Sequence, residues 1–497
     1  MRMLRVAVVG SGPAGLYTAE ALVKQSAALP TPVRVKVDVL DRLPTPYGLV
    51  RYGVAPDHKS IKSVTNYLRR ILENPDVRFL GGVHFGTDVT RDDLLSAYDA
   101  VVYATGAMRD RQLGIPGEDL PGSFAATDFV NWYCGHPDVP AEAFSLDAES
   151  VAVIGVGNVA VDVARILARD VSELSGTDIP EPVLDVLRAS KVREVHMIGR
   201  RGPAQAKFTT KELRELGELA GVSVEVPPAE LALDGFDLSG ESLSLTASDR
   251  RVRGNLVAMN EWLASAGDVA GDAAAEDVVA GGGGGRKLRV RFWLRPVEIL
   301  ESPSGTVGGL SLERTRLTAE GKFEGTGEIE TLDAQMVLRS VGYQSVPLEG
   351  VPFDTRSNVV PNLAGRVLDA SGAHLPGEYV AGWLKRGPSG VIGTNKADAT
   401  ETVRALLADL AGGPDPVLVA TLPRTGLLKF PDADTESDAI PLPLTGVLSG
   451  RGVVPVSYEE WLRIEEAEAA LAKSLGRGER VKLAGRDAIW LACRPEV

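Results

Sequence analysis

Cysteine is nearly absent from this sequence. The 497 residues hold two, Cys134 and Cys493. That is too few for a disulfide framework, an iron–sulfur cluster on four thiolates, or a cysteine-rich zinc site. They do not form a C-x-x-C pair, which excludes the dithiol chemistry of a disulfide reductase. Histidine is scarce as well, five in all, and no resident metal is expected. Positive charge is in deficit, with 53 Lys and Arg against 67 Asp and Glu and a net charge of −14. Nucleic-acid binders carry a basic excess, so none is expected as a partner. No uninterrupted apolar run reaches the ~18–20 residues that cross a membrane, so membrane insertion is not expected. Residues 1–9 begin basic and then apolar, as an export signal does, but Gly10, Gly12 and Pro13 interrupt the run at once. The expectation is a cytoplasmic protein. The rest is 44% hydrophobic and 24% charged, an ordinary globular composition sufficient for several domains.

Apolar patterning supplies the architecture. Residues 4–9 form a short run fit for a strand buried on both faces. Residues 13–28 carry Leu16, Ala19, Leu22 and Val23 at helical spacing, and residues 33–40 alternate with period two. Strand, glycine turn, helix and strand open a parallel doubly wound unit. A second copy follows: strand 151–154, a turn from Gly155, helix 160–169 and strand 194–198. Residues 99–106, 335–342 and 378–382 are further apolar strands ending in small residues. Residues 264–286, with five consecutive glycines, predict a loop insertion that cannot order itself. Residues 411–416 read as a weak linker. Residues 458–474 predict a helix, and the C-terminal segment is expected to return to the first domain.

The chemistry lies in the turns. In Gly10-Ser-Gly12-Pro-Ala14-Gly15, Gly10 permits the tight turn and Gly12 lets backbone approach a pyrophosphate. Gly15 lets the helix pack close, and the helix N-terminus faces the phosphates. Asp41 ends the second strand, where a carboxylate accepts ribose hydroxyls. The second motif, Gly155-x-Gly157-x-x-Ala160, keeps both backbone-critical glycines. At its next strand end the acid is replaced by Gly199-Arg200-Arg201-Gly202. Guanidinium groups pair with a 2′-phosphate that a carboxylate repels, so the second nucleotide is expected to be NADP(H). A late glycine loop, Gly387–Gly393, enters a helix over 397–410; its N–H groups suit the pyrimidine edge of a flavin. Thr209 or Thr210 is expected to cap a helix that places Glu212 and Glu215 on one face.

Six blocks carry a resemblance: PTPYGLVRYGVAPDH from Pro44 to His58, IPGEDLPG from Ile115, GVGNVAVDVAR from Gly155, GRRGP from Gly199, FTTKELREL from Phe208, and GWLKRGPSGVIGTN from Gly382. Together they resemble the adrenodoxin-reductase type of ferredoxin–NADP⁺ reductase, most of all its actinobacterial members. The resemblance implies an α/β fold of two Rossmann-like dinucleotide-binding domains, as in glutathione-reductase-like flavoproteins. The expected division is an FAD domain over 1–108 and 331–497 and an NADP domain over 109–330. It implies hydride transfer from NADPH to FAD, then single electrons passed to a ferredoxin or adrenodoxin-like iron–sulfur protein. Position by position, it implies FAD contacts at Ala14, Asp41, Leu49, Phe85, Trp383, Gly390, Val391 and Ile392. NADP contacts are implied at Arg111, Asn158, Val159, Arg200, Arg201, Glu212 and Gly390. His58 and Glu215 match residues near the reacting rings. Asp41 stands where many relatives carry Glu, and Trp383 follows Gly382 where the wider flavoprotein group has an acid.

Other readings make different predictions. A flavin monooxygenase would hydroxylate a substrate with oxygen, and an amidotransferase-type flavin subunit would need a companion chain. A non-turnover NADPH sensor would bind nucleotide yet deliver no electrons. An acidic ferredoxin needs a basic docking patch despite the acidic total; Arg250, Arg251, Arg253, Arg286 and Lys287 are the sequence candidates.

Overall fold

Valine-rich runs become parallel strands with almost no exposed surface, and two sheets built this way carry the molecule. The computed structural model describes residues 3–233, 235–272, 285–411 and 439–494. Chain contacts divide it into two units, neither of them continuous. The first comprises Met1–Arg109, Tyr343–Leu475 and Gly485–Val497; the second comprises Asp110–Gly342 and Gly476–Ala484.

The first unit holds a seven-stranded sheet. Its order is Asn362–Leu363, Arg366–Leu368, His374–Val380, Ala100–Tyr103, Met3–Val9, Arg34–Leu40, Val77–Leu80. The last five are parallel and the first two form an antiparallel edge. Val6, Val8, Val37, Val39, Val101 and Val102 are fully buried, as strands covered on both faces require. The register aligns Val9 with Leu40 and Tyr103, and Tyr103 with Val380. Gly10, Asp41, Ala104 and Ala381 therefore all leave the sheet at one edge, the carboxyl end where such folds bind ligands. The helix Pro13–Ala27 starts at Gly12 with Pro13 in its first turn, where a missing N–H costs nothing. It buries Leu16, Ala19 and Leu22 and packs against the helix Thr394–Ala411.

The second unit holds a fully parallel six-stranded sheet. Its order is Ser123–Ala125, Met336–Arg339, Ser150–Ile154, Glu194–Ile198, Arg286–Arg291, Val222–Glu225. Gly155, Gly199 and Ser340 leave it at the carboxyl edge, each donating its N–H to the adjoining strand's last carbonyl. An antiparallel sheet of Leu294–Glu301, Val307–Leu317 and Phe323–Asp333 shares its core, where Ile154 and Ile198 meet Leu294, Leu310 and Leu312.

Three segments depart from the sequence reading. The second unit extends to Gly342 rather than residue 330, because Met336–Arg339 pairs in parallel with Ser150–Ile154. The helix Arg250–Asp272 runs nine residues into the expected loop from 264, where Ala264, Ala266 and Ala270 extend a helix already nucleated upstream. Residues 273–284, with all but the last glycine of the run, lie outside the described residues, as does the expected linker beyond Ala411. The C-terminal segment does not return wholly to the first unit. The helix Tyr458–Ser474 belongs there, but Gly476–Ala484 belongs to the second. In that short piece Val481 is fully buried. Arg477 donates to the carbonyls of Ser175 and Thr177 and to Glu181, while Lys482 Nζ donates to the Cys134 carbonyl at 2.8 Å.

Candidate functional site

In the first unit the glycine turn folds as its residues demand. Gly10 sits at φ +113°, and a Cβ there would lie 2.5 Å from the Ala104 carbonyl oxygen; on Gly15 it would lie 1.8 Å from Gly10 O. Both positions exclude a side chain. The helix that follows has no side-chain cap and no acidic residue in its first turn, which leaves its N–H groups and positive dipole end for an anion. Gly48, at φ +49°, approaches so closely that a Cβ on it would lie 2.9 Å from Gly12 Cα. This backbone-lined cradle fits the pyrophosphate of a flavin dinucleotide.

Asp41 is where the strand end puts it, with a job the sequence did not show. Its Oδ2 accepts from the Ser11 N–H at 2.9 Å and the Ser11 hydroxyl at 2.6 Å, and Oδ1 accepts from Leu43 N–H at 2.9 Å. It therefore braces the glycine turn; Oδ2 already takes two donors, while Oδ1, with one, keeps a lone-pair direction for a ribose hydroxyl. Ser11 also accepts, through its carbonyl, the N–H of Tyr47 at 3.1 Å. Tyr47 is a buried non-glycine residue at φ +81°, held edge-on against Trp461 with ring centroids 6.0 Å apart. Burial, with Tyr458 beside it, pushes its phenol well above the ordinary range. A strained residue held this firmly beside a glycine turn marks a position that packing over-determines.

Leu49 opens the short helix Leu49–Tyr52, and Phe85 packs edge-on to Tyr103 with centroids 5.6 Å apart. The late loop carries Trp383, half-buried, stacked on Tyr343 at 5.6 Å and donating its indole N–H to the Ser389 carbonyl at 3.1 Å. Gly390 lies at φ +80° and Val391 is well exposed; Ile392 is half-buried. Sequence reasoning missed Asp398, which anchors this loop. Its Oδ2 accepts the Gly382 N–H at 2.5 Å, and Lys385 Nζ and Arg386 lie 3.1 and 3.3 Å from its carboxylate. No local spacing signals a contact sixteen residues apart. His58 is buried at the start of the helix Lys59–Lys62, and its carbonyl accepts from Ile61 and Lys62.

In the second unit Gly155 lies at φ +143°, with a virtual Cβ 2.2 Å from Ser340 O, while a Cβ on Gly157 would meet nothing within 4 Å. The helix Asn158–Ala168 begins uncapped and without first-turn acid, so a second phosphate cradle is present in backbone form. Asn158 Oδ1 accepts the Thr209 N–H at 2.8 Å, and Thr209 caps the helix Thr210–Gly217. Val159 is half-buried in the first turn. Glu212 and Glu215 lie on that capped helix, and Glu215 Oε2 is 3.4 Å from the fully buried Arg165, which also donates to Asp162 at 2.8 Å. Arg111 is exposed and its N–H donates to Gly342 O at 2.9 Å.

Arg200 and Arg201 are brought together at the strand end. Among the described residues neither ion-pairs with a carboxylate; Arg200 is exposed and Arg201 lies over the Phe323 ring, 4.7 Å from its centroid. Two adjacent arginines without an acidic partner, in a chain of charge −14, suit a dianion and fit a 2′-phosphate. At the expected basic patches most of the arginines are held by backbone carbonyls. Arg286 donates to the carbonyls of Val192, Ala168 and Arg169, Arg251 to Ala206 and Phe208, and Arg253 to Thr246 and Ala247. Carbonyls left bare at helix ends and loops recruit these guanidiniums, which keep their positive charge.

Comparison with known proteins agrees with this geometry. Residues 4–222 match the profile described as pyridine nucleotide-disulphide oxidoreductase. The two cysteines are buried and lie in different units, Cys134 in the second and Cys493 in the first, so the disulphide part of that description has no counterpart here. The chain is 42% identical over 488 residues to NADPH-ferredoxin reductase FprA of Mycobacterium tuberculosis, covering 97% of this chain and 98% of that one. It is 39% identical over 483 residues to the mitochondrial NADPH:adrenodoxin oxidoreductase of Homo sapiens, covering 95% and 89%. The solved structure of Mycobacterium tuberculosis FprA in complex with NADPH superposes with a TM-score of 0.82 at 39% identity, covering 99% of both chains.

Proposed function

The chain belongs to the family of NADPH-ferredoxin and NADPH:adrenodoxin reductases, and from that membership we propose that it moves electrons from NADPH, through FAD, to a ferredoxin-type iron–sulfur protein. FAD is what lets a two-electron hydride donor serve acceptors that take one electron at a time.

The first unit is the proposed FAD domain and the second the proposed NADP domain. In the first, the turn Gly10–Gly15 receives the pyrophosphate and Asp41 meets the ribose while bracing Ser11. Leu49, Phe85, Trp383 and the loop Gly390–Ile392 enclose the flavin, with loop N–H groups available to its pyrimidine edge. In the second, Gly155, Gly157, Asn158 and Val159 receive the other pyrophosphate, Arg200 and Arg201 grip the 2′-phosphate, and Arg111 and Glu212 complete the contacts. His58 and Glu215 are proposed to hold protons and orient the reacting rings, Glu215 with Arg165 3.4 Å from its carboxylate.

The observation that carries the NADPH assignment is the unpaired Arg200–Arg201 couple at the strand end. Replacing both with alanine is expected to cut the preference for NADPH over NADH in ferredoxin-dependent cytochrome c reduction by at least tenfold. An unchanged coenzyme ratio would remove their assigned role. Among the described residues no helix is long and apolar enough to cross a membrane. A cytoplasmic location is part of the proposal, and cell fractionation tests it.

A further inference from the structure

The Gly199–Gly202 turn is fastened along its whole length to the small antiparallel sheet. Three successive carbonyls each accept a hydrogen bond from it or from Trp293, the residue before its first strand: Gly199 from Leu294 N–H at 3.1 Å, Arg200 from the Thr315 hydroxyl at 2.7 Å, and Arg201 from Trp293 N–H at 3.3 Å. Thr315 N–H donates in turn to the Trp293 carbonyl at 2.8 Å. Trp293 is fully buried at φ +59°, an uncommon backbone state for a bulky residue. Its ring fills the space beside Gly202 so completely that a Cβ there would lie 2.1 Å from it. Phe323, on the last strand of the same sheet, lies under the Arg201 guanidinium.

These contacts have one consequence for the two guanidiniums. With its carbonyls tied to the sheet, the turn has little freedom to swing, so both side chains leave it in fixed directions. The cation–π contact with Phe323 holds Arg201 near the ring, and among the described residues no carboxylate pairs with its N–H donors. Side chains ordered before binding need not be ordered by the ligand, which raises affinity. We propose that Phe323 and Thr315 are positioning residues for coenzyme selection. Together with Trp293 they make the antiparallel sheet a platform that presents Arg201 and Arg200 to a 2′-phosphate. The proposal rests on the NADPH reading of the arginine couple and deepens it. It gives a role to a sheet that lies outside both glycine-turn motifs.

The test uses the full-length holoenzyme and calorimetric titration with 2′,5′-ADP and with 5′-AMP, which differ only by the phosphate in question. Phe323→Leu is expected to weaken 2′,5′-ADP binding about 2- to 5-fold, the worth of a partly exposed cation–π contact. The 5′-AMP affinity should not change, and Phe323→Tyr, which keeps a ring, should restore the ratio. Thr315→Val is expected to lower the same ratio about fivefold by stranding the Arg200 carbonyl, with Thr315→Ser close to the parent. A ratio unmoved by Phe323→Leu and Thr315→Val, but lost when Arg200 and Arg201 are both alanine, overturns the platform and leaves the NADPH reading standing. Equal weakening of both nucleotides, or failure of the conservative variants to restore, also overturns it. If the double arginine variant leaves the ratio intact, the underlying reading fails instead.

Discussion

Arg51 offers a sharp test of how the helix Tyr458–Ser474 supports the flavin cradle. It sits in Leu49–Tyr52, three residues past Gly48, and is 4% exposed. Its guanidinium forms a two-pronged ion pair with Glu468 of the helix Tyr458–Ser474, itself fully buried. The Tyr52 and Trp461 rings lie 5.1 and 4.9 Å from the guanidinium carbon. Burial alone would pull the guanidinium down, but Glu468 more than compensates and holds it charged. Glu468→Ala thus leaves a cation stranded among rings. Breaking one side of a buried pair costs about 3–5 kcal/mol, which for a unit of this size lowers the melting temperature by roughly 10 °C. Flavin should be released over the same range. An apolar pair, Arg51→Met with Glu468→Leu, removes both desolvation costs and should retain stability to within about 1.5 kcal/mol of the parent. Differential scanning calorimetry with flavin fluorescence as second probe measures both. The reasoning is wrong if Glu468→Ala costs less than about 1 kcal/mol, or if the double variant is as unstable as the single one.

Gly48→Ala should cost about 1–2 kcal/mol for a side chain at positive φ and push the Gly12 backbone away, so flavin retention after dialysis should fall sharply. Asp398→Asn removes the charge shared by Lys385 and Arg386 while keeping a group of the same shape; about tenfold weaker flavin binding is expected on titration of the apoprotein. Glu118 is pushed up by burial, but the N–H groups of Leu113 and Gly114 and the Arg339 guanidinium bring its carboxyl below the ordinary range. The stability it contributes is therefore fully present above the unfolded carboxyl's pKa of about 4.3 and is lost as pH falls through the lower folded value. Glu118→Gln should flatten that acid limb of a stability-against-pH curve, and an unchanged limb would refute the assignment.

What the sequence made legible follows from local physics. Both glycine turns, the apolar strands they follow and the helices they open depend on neighbours in the chain, and residues 458–474 are helical to the residue. The place of Arg200 and Arg201 at a strand end was legible because the strand before them is an apolar run. Asp398, Thr315, Trp293 and Glu468 were not legible, because each acts on a partner brought near only by the sheets. The loop expected from residue 264 failed for a different reason. Five glycines dominate that window's composition, whereas the alanines before them continue a helix already begun.

The nine-residue piece Gly476–Ala484 bears on any attempt to dissect the molecule. Deleting 110–342 and splicing the ends would strip Val481 and Lys482 of their surroundings and leave an oily, charged loop between two helices. Expressing 110–342 by itself would bare the slot they occupy and leave Glu181 without Arg477. A faithful half-protein needs that short peptide moved with its host, grafted after residue 342 for one half and replaced by a polar linker in the other.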